Sequence, residues 1–439
     1  MNDFTVVILA GGKGKRMKST SPKALCDLLG QTLIYYPLKE VLKLKRYLKE
    51  IIVVVGYKAK AVVQEVKKSF PKEQKIKFVY QSKMLGTANA LKVAYKKVKN
   101  NNVLVLCTDT PLISAETLRA FISSFLKRKL SCSVLTADLS DENSLGVILR
   151  DKEGKLKGIR EKNILSSSRA GDSFYQEVNS GIYCFKKKTL GENLPRINKN
   201  KRKKEYFLTD IIEILYNQGQ KLDTYFLDRA EEILGINSQR DLWKVNKMMR
   251  QKVLEEMVAK GVKVIDPEST FVEAGVRIGR NTLIYPFTFI EKGAIIGSNC
   301  SLGPFVRIRG NSSIDDNSQV GNFLEINRTQ VGKKVRIKHF GYLGDTRIAD
   351  KVNIGAGTVV ANYNGKSKQK TDIGEGAFIG SDTVLVAPIK VGKGAVTGAG
   401  SVVTKNVKPN TVVVGVPARK LKKLSTICLS TDKAGRKKG

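Results

Sequence analysis

A chain of 439 residues with one histidine has almost no imidazole available for general acid–base chemistry or for metal ligation. That histidine, His339, lies in "RIKHFGYLGD", Arg336 to Asp345, between aromatics and an acid. Cysteine is also sparse in pattern. Six are present (Cys26, Cys107, Cys132, Cys184, Cys300, Cys428), far apart and with no C-x-x-C pair. This argues against a zinc ribbon and a disulfide framework and suits a reducing compartment. No apolar run approaches the length of a bilayer span. The N-terminus offers only a few apolar residues before glycines, so it does not read as a signal peptide, and a cytoplasmic protein without membrane insertion is expected. Acidic residues are few, 40 against 78 lysines and arginines, for a net charge of +38. Such a charge attracts anions, from phosphorylated substrates to nucleic acid. The lysines are spread along the whole length and no aromatic-interleaved basic motif is present, which favours a lysine-biased proteome as the source of the charge, and no specific nucleic-acid partner is expected.

Hydrophobic residues make up 41% and charged residues 27%, the balance of a globular protein, and the length calls for two or three domains. Residues 1–230 alternate short apolar runs with helical stretches. "FTVVILAGG", "EIIVVVGYK" and "NVLVLCTDTPLI" read as buried strands leading into loops, with "YYPLKEVLKLKRYLKE" and "GTANALKVAYKKVK" as helices between them. This order predicts a mostly parallel, Rossmann-like α/β sheet covered by helices. Residues 231–262 read as a linker. Within it one long helix runs from Ser238 to about Lys260, with Ser238 as its cap and Gly261 at its end.

From residue 263 the period changes. Ile278, Ile284, Ile290, Ile296, Leu302, Ile308, Ile314, Val320 and Ile326 stand six apart. The register slips by one, resumes at Val331, Ile337 and Leu343, and returns after a break at Ile373, Ile379, Leu385, Val391 and Val403. Hexad repeats with one inward aliphatic residue predict a parallel β-helix over 263–439, and the abundant Gly, Asn and Asp exclude a coiled coil. "ANYNGKSKQKTD", Ala361 to Asp372, interrupts the repeat and is expected as an outward loop.

Several motifs in the first half point to phosphate chemistry. "LAGGKGKRMKSTSPK" follows the first strand; its glycines let the backbone approach a phosphate that Lys13, Lys15, Arg16 and Lys23 can balance. It is neither a dinucleotide fingerprint nor a Walker loop. "QSKMLGTANAL" offers the Gln81 amide to a base and a Gly-Thr turn opening a helix. "LCTDTPLI" puts Asp109 beyond a strand's carboxyl end, where it could cap a helix or hold a magnesium ion.

Taken in order, "LAGGKGKRM…SPKAL", "LGTANA", "TDTPLI", "QEVNSGIY", "EYFLTD", "ILGIN", "GPFVRIRG", "VGNFLEIN", "KHFGYLGD", "NIGAGTVVANYNG" and "IGSDTVLVAP" resemble the bifunctional N-acetylglucosamine-1-phosphate uridylyltransferase/glucosamine-1-phosphate N-acetyltransferase family over nearly the whole chain. The resemblance implies that the first half joins UTP to N-acetylglucosamine-1-phosphate with release of pyrophosphate. It implies that Lys23 and Arg16 stabilise charge on the triphosphate. Leu9, Ala10, Gly11, Gly12, Gln81, Gly86 and Thr87 would line the nucleotide, and Gly146, Glu161 and Asn179 the sugar. Asp109 and Asn237 would hold Mg2+. In the second half it implies a left-handed prism and a homotrimer. His339 would be the general base for acetyl transfer from acetyl-CoA. A protonated amine cannot attack a thioester, so a group titrating near neutrality must take its proton. Arg309, Asn327, Tyr342 and Asn353 would hold glucosamine-1-phosphate; Ala356, Asn362, Tyr363, Ser381, Ala399 and Arg419 would line the acetyl-CoA site. Glu325 could orient the base or the amine, and Lys368 shares the loop with Tyr363.

The chain departs from that pattern at several positions. Gly11 stands for an alanine and Lys15 for a threonine, both compatible with a phosphate. Cys107-Thr108 precede the metal acid and "SLGVI" keeps only Gly146, which alters the wall behind the sugar. Asn327 replaces the family's phosphate-binding lysine, a loss of roughly 1.5–3 kcal/mol unless Arg328 or Arg309 compensates. Gly415 stands where the family has a coenzyme A arginine, with Arg419 as a substitute, and the basic tail "DKAGRKKG" is given no role. Two rival readings remain: a nucleotidyltransferase whose β-helix only trimerises the enzyme, and an anion- or nucleic-acid-binding protein drawn from the charge alone.

Overall fold

The computed structural model describes residues 3–18, 20–140, 145–161 and 175–423, the side chains of residues 15, 140 and 175 excepted. Cys428 and the basic tail lie outside the described residues. The chain divides into two compact units, Met1–Lys247 and Met248–Gly439, with the long helix Gln239–Val258 running through the boundary. Among the described residues no helix is long and apolar enough to cross a membrane.

The first unit is an α/β layer structure. Its sheet runs Leu222–Phe226, Cys132–Ser140, Tyr175–Lys186, Asn102–Cys107, Phe4–Ala10, Leu48–Val55, Ile76–Tyr80, with the hairpin Val147–Arg150 and Leu156–Arg160 attached. Pairings are parallel except along Tyr175–Lys186, which lies antiparallel between two neighbours, and within the hairpin, so the sheet is mostly parallel as expected. Both faces are buried. Val6, Ile8, Ile51 and Val53 point to one core, Val7, Ile52 and Val54 to the other, the two-residue alternation of a strand. The first strand, Phe4–Ala10, is flanked by Leu48–Val55 on one side and Asn102–Cys107 on the other, so successive crossovers leave it in opposite directions. Beside such a switch point the carboxyl ends of the strands part into a crevice.

In the second unit, three sheets form the sides of a prism: a first face from Lys263–Val264 to Arg419–Lys423, a second from Phe271–Val272 to Val402–Val403, and a third from Arg277–Ile278 to Ile389–Val391, all parallel except for the last strand of the first face, which runs antiparallel to Thr411–Val414. The hexad aliphatics fill one continuous core, from Ile284 to Val403. The stacked hexapeptide coils are consistent with a left-handed β-helix. The apparent break after Leu343 is filled by buried Ile348, Ile354 and Val360, which pair with the next coil as Ile348 with Ile373 and Ile354 with Ile379. The register slips there a second time by one residue, which hid the repeat in the sequence. Both short turns lie at the corner between second and third faces, at Arg328 and Asp345, each with positive φ. The insertion leaves the prism from that same corner one coil later, between Thr358–Ala361 and Thr371–Ile373. At the corner between first and second faces, exposed Phe287, Phe305 and Phe323 stack ring on ring at 4.7 Å, and Phe340 follows one coil on.

Candidate active sites

The crevice of the first unit receives three loops: the glycine loop after Ala10, Gln81 after Tyr80, and Thr108-Asp109 after Cys107. Each follows from a hydrophobic strand ending at the same edge, so the polar residues that cannot be buried gather at one place. They enclose a cavity of about 510 Å³ lined by Leu9, Gly11, Gly12, Lys13, Arg16, Lys23, Gln81, Gly86, Thr87, Asp109 and Asn237, among others. Ala10 is buried beneath it in the core.

Gly86 explains how two distant motifs meet. Its φ is +101°, and a Cβ there would stand 2.4 Å from the Tyr206 carbonyl, so only glycine lets "LGTANA" close on "EYFLTD". Tyr206 donates its N–H to the Leu85 carbonyl (2.8 Å), and the Thr87 hydroxyl accepts from Leu208 N (3.0 Å).

At the floor, the Lys23 ammonium donates to Asp109 Oδ2 at 2.5 Å and to Asn237 Oδ1 at 2.8 Å; Arg16 Nη2 reaches the same Asn237 oxygen at 2.9 Å. Asn237 is carried there by a helix start. Ser238 accepts from Asp241 N through its hydroxyl, and the Asp241 carboxylate accepts from Asn237 N and Ser238 N, a reciprocal cap. Ile236 N donates to the Asp109 carbonyl at 2.8 Å and joins the two loops.

A second cavity of about 150 Å³ shares Leu9, Thr87, Cys107 and Asp109 with the first and adds Leu145, Gly146, Glu161, Asn179 and Tyr183. Asn179 donates its backbone N–H to the Gly146 carbonyl (2.8 Å) and its amide to the Tyr183 hydroxyl (2.7 Å). Glu161 accepts from the Thr209 hydroxyl at 3.0 Å. Burial, then the Asp109 carboxylate, pushes the Cys107 thiol up to about 12, so it is a neutral wall group and not a nucleophile. Beside Glu161, burial and then the charges of Glu161 and Glu213 raise the Asp210 carboxyl to about 6.

In the second unit the expected residues fall into two groups. The ladder pairs Ile337 with Ile354, Ile354 with Ile379, and Ile379 with Thr397. Two residues further on, His339, Ala356, Ser381 and Ala399 therefore form one column along the corner between first and second faces. Asp382 N to Ala356 O (2.6 Å) and Gly400 N to Ser381 O (2.8 Å) tie the coils of that column together. His339 is exposed.

The other group surrounds Gly344, at the far end of the strand Gly341–Gly344. A Cβ on Gly344 would lie 2.5 Å from both the Tyr342 hydroxyl and Asn362 Nδ2, so the missing side chain leaves the hollow in which they meet. Asp345 accepts from Arg328 Nε (2.6 Å) and Nη2 (2.7 Å) and from Asn362 Nδ2 (2.5 Å). The Arg328 guanidinium, followed by the Asn362 amide, holds this carboxyl below its ordinary range. Asn327 is buried, and its Oδ1 accepts from Arg328 Nη1 at 2.8 Å, so a guanidinium reaches the side chain standing in the lysine's place. Arg309 is on the same face, with Nη1 3.2 Å from Glu325 Oε1. Asn353 is on the first face, opposite Arg336, apart from Arg309, Asn327 and Tyr342. Tyr363 and Lys368 bridge as a small hairpin within the insertion, and Arg419 opens the last strand of the first face. A single chain assembles the His339 column and the Gly344 cluster separately, at opposite ends of the strand Gly341–Gly344.

Sequence reading passed over Asn89, which holds the Gln81 amide, and Asp345 and Gly344, which organise the second cluster. The one available signal was that Arg328 and Asp345 sit where the hexad loses a residue.

A nucleotidyl transferase family model matches residues 5–252, and the bacterial transferase hexapeptide (six repeats) model matches 275–310 and 370–405. The bifunctional protein GlmU of Alkaliphilus metalliredigens is 35% identical over 443 residues, covering 93% of this chain and 95% of its own. The chain belongs to the GlmU family. Other members at similar distance are those of Geobacillus sp. (strain WCH70), 36% identical over 93% of this chain and 94% of its own, and of Thermosipho africanus, with the same figures. A solved structure, HddC from Yersinia pseudotuberculosis, is 24% identical, covers 56% of this chain and 99% of its own, and has a TM-score of 0.42. As a family member the chain is an enzyme with uridylyltransferase and acetyltransferase activities.

Proposed function

We propose that the first unit transfers a uridylyl group from UTP to N-acetylglucosamine-1-phosphate, and that the second transfers an acetyl group from acetyl-CoA to glucosamine-1-phosphate with His339 as general base. The observation that carries the first assignment is the convergence of Lys23, Arg16, Asp109 and Asn237 beneath the glycine loop. The sugar phosphate's oxygen attacks the α-phosphorus of UTP, and pyrophosphate leaves. Lys23 and Arg16 hold the charge that grows on the phosphates, in the way preorganised cations act in phosphoryl-group chemistry. Glu161 and Asn179 orient the sugar in the smaller cavity, and Gln81 faces the base. Mg2+ fits this donor set. Asp109 and Asn237 offer hard oxygens at one point where the Lys23 ammonium already places a positive charge, and among the described residues no cluster of three or more ligating side chains competes with them. When bound, the ion would neutralise phosphate charge.

In the second unit His339 takes a proton from the substrate amine as its nitrogen attacks the thioester carbonyl, and coenzyme A thiolate leaves. The column of small residues Ala356, Ser381 and Ala399 beside it leaves a smooth corner along which coenzyme A can lie. Arg309 and Arg328 supply the positive charge for the sugar phosphate in place of the lysine replaced by Asn327. Because the His339 column and the Gly344 cluster sit at opposite ends of a strand, a complete acetyltransferase site needs a neighbouring prism, which favours a homotrimer; the exposed phenylalanine ladder offers apolar surface for it.

Thiol release from acetyl-CoA with glucosamine-1-phosphate tests this reading. Wild type should be active and His339→Ala reduced at least about 10²-fold, with pyrophosphate release from UTP unchanged. Wild-type silence in the thiol assay would leave the prism as scaffold, and full activity in His339→Ala would remove the histidine from the mechanism.

A further inference from the structure

We propose that Asn89 is a positioning residue that fixes the Gln81 amide in one orientation and thereby makes the base pocket select a ring N–H, uracil over cytosine. The proposal rests on reading the larger cavity as the UTP site. Gln81 is 6% exposed and lines that cavity. One of its side-chain amide atoms lies 3.3 Å from the Gly86 carbonyl oxygen, which can only accept, so that atom is the nitrogen. The same nitrogen donates to Asn89 Oδ1 at 2.8 Å. Both of its hydrogens are thereby committed on the protein side. What Gln81 has left is the carbonyl oxygen Oε1. It stands against the glycine loop, 2.8 Å from where a Cβ on Gly11 would be, at the wall of the cavity.

A buried acceptor facing a base is satisfied by a donor and opposed by a lone pair. The N3–H of uracil satisfies it, whereas cytosine presents an unprotonated N3. Gln81 alone could not make this distinction, because a free carboxamide can turn over and offer its NH2 instead. The Gly86 carbonyl, which can only accept, sets the sense of the amide pair, and the shorter bond to Asn89 holds the Gln81 nitrogen in that sense. Asn89 sits on the helix Thr87–Tyr95, is half-buried, and does not line the cavity. Its effect on the base therefore passes through Gln81.

The experiment compares UTP and CTP, each with N-acetylglucosamine-1-phosphate and Mg2+, by pyrophosphate release from the full chain and from Asn89→Ala and Asn89→Asp. In Asn89→Ala, KM for UTP should rise about tenfold with kcat within about twofold, and the preference for UTP over CTP in kcat/KM should fall about tenfold. Asn89→Asp, which keeps an acceptor at the same place, should retain the wild-type preference. A merely structural role would move both nucleotides together. If Asn89→Ala turns over UTP with an unchanged preference, or if Asn89→Asp loses it as fully as alanine does, the positioning role is overturned while the uridylyl reading stands. If the wild-type chain releases no pyrophosphate from UTP, the uridylyl reading falls and takes this inference with it.

Discussion

Lys23 donates to two oxygens, Asp109 at 2.5 Å and Asn237 at 2.8 Å, from segments 86 and 214 residues further along the chain, and it is itself only partly exposed. Removing the ammonium takes away charge where the triphosphate is expected and leaves the Asp109 carboxylate without its cation. Lys23→Ala should therefore lower kcat/KM for pyrophosphate release by about 10²–10³, with acetyl transfer unchanged. A second prediction at this scale concerns Asp210. Its carboxyl titrates at about 6 in the fold against an ordinary 3.8. Between those values the folded chain keeps a proton that the unfolded chain has lost, so ionising Asp210 costs stability as pH rises through the window, and the whole cost stands above pH 6. Asp210→Asn should stabilise the first unit by about 1–2 kcal/mol at neutral pH or above and give no gain near pH 4, measured as the difference in thermal midpoint from wild type at each pH. Residues of this kind were unevenly legible. Lys23, Asp109 and Gln81 follow strands whose apolar runs announce where they end. Asn89 and Asp345 act through the side chains they hold rather than on a ligand directly; the lost hexad residue marks Asp345, and nothing in "LGTANA" singles out Asn89.

Among the elements, the corner between second and third faces of the prism shows what regularity can hide. Six-residue spacing made the β-helix legible, because each inward aliphatic must recur when a side of the prism does. The coil containing Ile348, Ile354 and Val360 escaped notice because the corner before it is one residue short. That shortening is where Arg328 and Asp345 turn outward to meet Asn362 at the base of the insertion. Asp345→Asn should loosen that junction. Amide hydrogen exchange across residues 361–372 should quicken about tenfold, and kcat/KM for acetyl transfer should fall, with uridylyl transfer unaffected. In the first unit, the antiparallel strand Tyr175–Lys186 was not foreseen, since an apolar run reads alike in either direction.

For the molecule as a whole, the charge of +38 bears on encounter more than on chemistry. The substrates proposed for it are all anions, so kcat/KM of both reactions should fall as ionic strength rises from about 50 to 500 mM, while kcat changes little; the slope of log kcat/KM against salt measures it. With one reaction proposed for each of the two compact units, the two reactions should be separable. A mixture of Lys23→Ala and His339→Ala proteins should carry glucosamine-1-phosphate through to the UDP-sugar, because the acetylated intermediate is a small molecule that can leave one protein and enter another. Detection of the nucleotide sugar in the mixture, and in neither variant alone, is the expected outcome.

The prism's shortened corners divide it into lengths of two kinds. From Ile284 to Ile308 the coils follow one another at constant stride, like the graduations of a ruler, and each graduation touches only the ones above and below it. From Arg328 to Asp372 the graduations are individually shaped and none could stand in for another. Copying one whole coil within the uniform length would lengthen the ruler without disturbing its marked end, whereas the same copy placed after Arg328 would separate parts that must lie on adjacent marks. This prism thus has a stretch whose length is free to change and a stretch whose length sets the spacing of Arg328, Asp345 and Asn362.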